Sequence, residues 1–235
     1  MQLEWNIYPS IIYQKYGNFK DALAIKQEIK FYIPEEFKKY IDIAKQSAME
    51  KEQKEKNLYE WNFYVFFNIA FYTGLRKGEI HALRWSNIDK EYLSVKSSIN
   101  QKLHKRDTET PPKNKSSIRT IQIPLPLITI LNEHRERQKQ LQNFSEDNRI
   151  LGDERCIRDT SIENRNKFYS SLAGIKKIRI HDFRHSHASL LANMGINIQE
   201  IARRLGHTKV EMTWNTYSHL YPKEEEKAIA VLNAI

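Results

Sequence analysis

Residues 178–220 read IRIHDFRHSHASLLANMGINIQEIARRLGHTKVEMTWNTYSHL. The stretch divides into helices predicted over 181–194, 197–205 and 209–220, with Gly195 and Gly206 as stops. His181 and Arg184 are three apart, so they project from one helix face. That joins a proton acceptor near neutral pH to a fixed cation. A Gly206-His207 turn follows, and Tyr217 stands ten residues after His207. Two blander readings compete. His181 and His185 are four apart, as in the HExxH zinc pattern, but Asp182 stands in the glutamate position. Arg184 would set a cation beside the metal, and no third ligand follows at a familiar spacing. Gln199 to Tyr217 also has the look of a helix–turn–helix, which would suit a simple DNA reader.

Working outward, the chain before this stretch is also mainly helical. Residues 1 to about 30 read as an irregular lead-in. Pro34 suits a first helical position, with Glu35 and Glu36 in the first turn and an apolar face running toward Lys51. Leu58 to Tyr72 is apolar nearly all round and reads as a buried helix, ended by Thr73-Gly74-Leu75. A short helix follows over 76–83. Residues 92–96 and 118–123 alternate like strands, with Pro111-Pro112 in a long hairpin or loop between them. Pro124 and Pro126 introduce a helix through Gln140, and another is predicted over 161–172. The segment 223–234 has Ala228, Ile229, Val231, Leu232 and Ile235 on an amphipathic pattern, which suits docking on its own domain or on a neighbouring copy. The expected fold class is α+β, mainly α, with a small antiparallel sheet inserted after the second or third helix.

Composition narrows the function class. Among 235 residues, 38 are Lys or Arg and 29 are Asp or Glu, a formal charge of +9. Hydrophobic residues make up 40%, enough for a core, which excludes a disordered chain. Residues 102–119 and 175–204 each carry a net +4, nearly all of the excess. If these segments converge they form a phosphate-binding surface, and nucleic acid is the expected partner. Cys156 is the only cysteine, so no internal disulfide or Cys-rich zinc site can form. No stretch has the roughly 20 apolar residues a bilayer needs, and the N-terminus lacks a signal-peptide pattern, so a cytoplasmic location and no membrane partner are expected.

Two further motifs carry chemistry. In Thr73-Gly74-Leu75-Arg76-Lys77-Gly78-Glu79, an arginine follows a glycine turn, where a guanidinium can fork onto phosphate oxygens. In Lys113-Asn114-Lys115-Ser116-Ser117-Ile118-Arg119, lysines on a hairpin can reach a bound backbone. Each alone is weak. In order they give Arg, Lys, His-x-x-Arg, Gly-His and Tyr, and this combination resembles the tyrosine recombinase family, the phage and transposon integrases. Residues 73–80 resemble that family's first arginine box and residues 178–220 its second.

The resemblance implies DNA strand cleavage and rejoining through a 3′-phosphotyrosyl intermediate, for integration or excision of a mobile element. The carried-over catalytic residues are Arg76, Lys113, His181, Arg184, His207 and Tyr217. Tyr217 would be the nucleophile, His181 its proton acceptor, and Lys113 the acid for the departing 5′-hydroxyl, with Lys115 as the fallback. Arg76, Arg184 and His207 would stabilise the charged transition state. Glu79 would orient Arg76 or its helix. Lys77, Lys102, Lys105, Lys115, Arg119 and Arg203 are the expected DNA-contacting cations. No cofactor and no metal are expected; the partners are double-stranded DNA and other copies of the chain, as a tetramer on DNA or a monomer alone. Family members carry a helical domain before the catalytic one, which residues 1–30 cannot form, so those residues look like a linker remnant and 31–235 like the catalytic domain. Weak DNA binding is expected as a consequence. A non-catalytic DNA-binding module, a helix–turn–helix regulator or decayed integrase, is the alternative. A type IB topoisomerase shares the chemistry, but the continuous second box favours the integrase branch.

Overall fold

A computed structural model describes residues 30–101, 107–111, 117–141, 143–152, 155–221, 229, 232 and 233. Its centre is helix α2, Trp61–Thr73, whose WNFYVFFNIAFYT sequence is buried almost throughout. A helix apolar on every face must be enclosed. Helix α1 (Pro34–Glu55) lies against one side and α6 (Asp182–Asn193) against another. Phe37 of α1 stacks on Phe71 at 3.7 Å between centroids, and Phe67 meets Tyr40, Tyr169 and Phe183. Each such ring, fully buried, contributes about 1.5–3 kcal/mol.

The polar residues that interrupt this apolar run all find partners. Asn68 Nδ2 donates to the Tyr64 carbonyl at 2.8 Å, and Asn62 Oδ1 accepts from the Gly152 backbone at 2.8 Å. Glu60 accepts from Tyr169 Oη and pairs with Arg165. The helix starts later than the apolar run does, because Asn57 Oδ1 holds the Tyr59 N–H in a turn ahead of it.

Gly74 ends α2 in the left-handed region, φ +65°, and a Cβ there would come within 2.8 Å of His187 and 2.9 Å of Leu205. This tight turn delivers Arg76 to the start of α3 (Lys77–Ala82). Strands β1 (Ile88–Asp89), β2 (Tyr92–Val95) and β5 (Arg119–Gln122) then form an antiparallel sheet in the order β1-β2-β5, with Leu93 opposite Ile121 and Val95 opposite Arg119. Between β2 and β5 the chain makes a second pairing absent from the sequence expectation. Strand β3 (Ser98–Asn100) pairs antiparallel with β4 (Thr108–Thr110) and packs on α3.

Helices α4 (Leu125–Lys139) and α5 (Asp159–Leu172) flank the core as expected. After α6 come α7 (Ile198–Leu205) and α8 (Val210–Tyr217), the latter ending earlier than expected in a 3-10 turn over Ser218–Leu220. The predicted lead-in over 1–29, and the predicted last helix apart from Ile229, Leu232 and Asn233, lie outside the described residues. Among the described residues no helix is long and apolar enough to cross a membrane.

Candidate active site

Arg184 is the junction of the site. It is buried, 4% exposed, and its two terminal nitrogens donate to the Gly74 carbonyl at 2.8 Å and the Leu205 carbonyl at 2.7 Å. These carbonyls belong to the turns that carry Arg76 and His207. One guanidinium on α6 thereby ties the end of α2 to the end of α7. Its planar fork permits this, which a lysine cannot reproduce. Burial, then the nearby Arg76 charge, brings Arg184 down to about 9, so it stays cationic at neutral pH.

Arg76 stands half-exposed beside it. Glu79 accepts from the Arg76 backbone N–H at 2.9 Å and from its guanidinium at 3.0 Å, closing the first turn of α3. Glu79 is itself buried and takes two further bonds from Arg119, at 3.2 and 3.0 Å. Burial alone would raise its carboxyl, but Arg119 and Arg76 outweigh that and hold it below the ordinary carboxylate range. Glu79 thus touches both Arg76 and Arg119 directly.

Arg119 departs from its expected place among the DNA-facing cations. It is 8% exposed, and besides Glu79 it donates to the Arg204 carbonyl at 2.7 Å and the Ser117 carbonyl at 3.1 Å. A buried cation needs such a carboxylate, and Glu79 supplies it from 40 residues away. Gly206 makes room for it: a Cβ there would lie 2.7 Å from the Arg119 guanidinium, and its φ is +66°. Arg119 therefore braces β5 against α3 and the Gly206-His207 turn.

His207 Nδ1 lies 2.7 Å from Thr213 Oγ1, which orients the ring from α8. Burial, followed by the charges of Arg184, Arg76 and Arg119, lowers its pKa to about 4. His181 caps α6, and burial followed by Arg184 lowers it too. Its ring stands edge-on to His185 at 5.3 Å. Tyr217, at the end of α8, is 2% exposed, and its hydroxyl lies 2.6 Å from His185 Nδ1. Burial pushes the phenol up to about 12, with Arg184 opposing. Arg76, His181, Arg184, His207 and Tyr217 thus share one neighbourhood in which arginine charge outnumbers the carboxylates of Glu79 and Asp182, an arrangement an anion would relieve. Lys113, Lys115, Lys102 and Lys105 lie outside the described residues.

Of the other cations, Lys77 pairs with Asp159, and Arg203 is exposed while bonded to Glu200 and the Thr120 carbonyl. Three contacts escaped the sequence reading: His185 to Tyr217, Thr213 to His207, and Arg119 to Glu79. Only His185 had a signal, through its place beside Arg184. No group of three or more His, Cys, Asp or Glu residues able to hold a metal occurs among the described residues.

This architecture has counterparts among solved structures. The Tn1549 transposon integrase (residues 82–397), solved in complex with circular intermediate DNA, superposes with a TM-score of 0.67 at 19% identity, over 89% of this chain and 68% of that one. The catalytic domain of bacteriophage HP1 integrase gives 0.51 at 21% identity, over 86% of this chain and 95% of that one. In sequence, the ICEBs1 integrase of Bacillus subtilis is 34% identical over 223 residues, 89% of this chain. A XerC-like tyrosine recombinase of Caldanaerobacter subterraneus is 30% identical over 229 residues, also 89% of this chain. The chain spans 56% and 55% of the lengths of these two relatives. The profile of the phage integrase family matches residues 34–224, and the chain belongs to that family.

Proposed function

We propose that this domain is the catalytic part of a site-specific DNA recombinase that cuts and rejoins strands through Tyr217. The observation that carries the reading is the double bond of Arg184 to the Gly74 and Leu205 carbonyls, which gathers Arg76, Arg184 and His207 beside the Tyr217 helix. Attack of the Tyr217 oxygen on a backbone phosphorus puts added negative charge on the nonbridging oxygens. Arg76 and Arg184 supply fixed positive charge there, and His207 a further donor. The 5′-oxygen leaves with a proton from Lys113, or from Lys115. The 3′-phosphotyrosyl ester keeps the energy of the broken bond, so another 5′-hydroxyl can reverse the step without ATP.

Double-stranded DNA is the partner. Exchange between two duplexes breaks four strands, and with one Tyr217 per strand the acting species is a tetramer on DNA, even where the free chain is a monomer. The cytoplasm is the compartment that offers such DNA to a chain of this charge. The family relationship and the clustered cations support this assignment over a regulator that only occupies DNA.

A nicked substrate that traps the covalent product, resolved on a denaturing gel, tests the assignment. The wild-type chain is expected to give a protein–DNA adduct, and Tyr217→Phe none above background. An adduct of undiminished yield in Tyr217→Phe would move the nucleophile elsewhere.

A further inference from the structure

The hydroxyl of Tyr217 has a specific partner that the motif pattern does not assign. His185 Nδ1 lies 2.6 Å from it, within the range of an O–H hydrogen bond. His185 follows Arg184 on α6, one turn beyond His181, so the same helix that delivers the cation also delivers this imidazole to α8. His181 meets the ring of His185 edge-on.

We propose that His185 is a catalytic residue, the acceptor of the Tyr217 proton, in place of the role first expected for His181. The proposal rests on the recombinase reading above. As the Tyr217 oxygen bonds to phosphorus, its O–H bond breaks and the proton passes to His185 Nδ1. The bond from phosphorus to the 5′-oxygen breaks, and that oxygen is protonated by Lys113 or Lys115. On rejoining, an incoming 5′-hydroxyl gives its proton back to the neutral lysine, the bond from phosphorus to the Tyr217 oxygen breaks, and the phenolate recovers its proton from the His185 imidazolium. His185 is neutral at the start and at the end.

The surroundings suit this role. His181, Asp182 and Arg184 face His185 from its own helix, Arg179 from the segment before it, and Tyr217 from α8. Burial, then His181, holds it below its ordinary pKa, with Asp182 opposing and Arg179 and Arg184 adding. A neutral imidazole can accept. The Tyr217 phenol, pushed up to about 12 by burial, keeps its proton at neutral pH and donates it. His185 Nδ1 is then the acceptor and its proton sits on Nε2.

The test uses the full chain and the trapping substrate. His185→Asn places an amide near Nδ1, able to bond the phenol but not to take its proton. Adduct formation is expected to slow on the order of 100-fold. The wild-type rate should fall as pH drops through the His185 pKa, and this acidic limb should vanish in His185→Asn while persisting in His181→Asn. A His185→Asn rate within about twofold of wild type, or a limb lost only in His181→Asn, would overturn the proposal and leave the recombinase reading standing. If the wild type gives no adduct, the recombinase reading falls and the base role falls with it. Nitrogen-15 NMR of the labelled chain then reads the contact by itself: the His185 Nδ1 resonance is expected to shift in Tyr217→Phe, and an unmoved resonance would remove the pairing.

Discussion

Arg184 grows from a helix that packs into the aromatic core of Phe37, Phe67, Phe71 and Phe183. Tyr217 ends an eight-residue helix, in a cluster whose other buried members are Ala188, Ala192, Ile201 and Leu205. A buried phenyl ring contributes about 1.5–3 kcal/mol, and an alanine methyl far less. Arg184 is therefore mounted on the firm part of the molecule and Tyr217 on the soft part. Local opening draws on the regions with the fewest buried apolar contacts, so α8 is expected to open before α1 and α2.

Three measurements bear on this contrast. The largest effect is expected from Phe67→Ala, which empties a fully buried ring site touching Tyr40, Tyr169 and Phe183. A loss of about 3–5 kcal/mol in urea unfolding is expected. A loss under about 1 kcal/mol would erase the contrast. Next comes Gly206→Ala, where a left-handed backbone costs about 1–2 kcal/mol and the new methyl meets the Arg119 guanidinium. Adduct yield is expected to fall more than stability, because Arg119 braces Glu79 and the His207 turn. An unchanged yield would make that brace dispensable.

The smallest and most local effect is expected on acidification. His187 is held near 3 and His207 near 4, chiefly by burial, and His181 and His185 are lowered as well. All four belong to α6 or to the turn before α8. Unfolding lets each bind a proton near its ordinary 6.5, so their contribution is complete above that pH and declines as pH falls toward about 4. His134 on α4, near 4, has the same sign but contacts Ile150, Gln138 and Trp85 rather than α7 or α8. His187, His207 and His185 touch α7 and α8 through Arg204, Thr213 and Tyr217, so amide exchange should show α7 and α8 losing protection before α1, α2 and α6 across that window. Uniform loss would contradict the division.

The helices were legible because each carries its own signals: Pro34 at a start, Gly74 and Gly206 at stops, and an unbroken apolar run in α2. The pairing of β2 with β5 was legible from alternation. Strands β3 and β4 were not, since Ser98–Asn100 and Thr108–Thr110 have little apolar alternation. Their hairpin is held from outside, where Glu109 accepts from Ser97, Arg84 and Arg149. The same reason hid the setting of Arg119, whose burial depends on Glu79. His185 was visible as a residue, but its partner lies 32 positions onward and on another helix.

The two carbonyls bound by Arg184 lie 110 residues before it and 21 after it. A chain emerging from synthesis cannot make the second bond until α7 has been added and folded back. Until then the guanidinium lacks one of its two buried acceptors, and the turns that carry Arg76 and His207 are not tied together. Assembly of the cleft is thus a checkpoint on completed folding. A misfolded chain carries every residue of the motif and still presents no organised anion site.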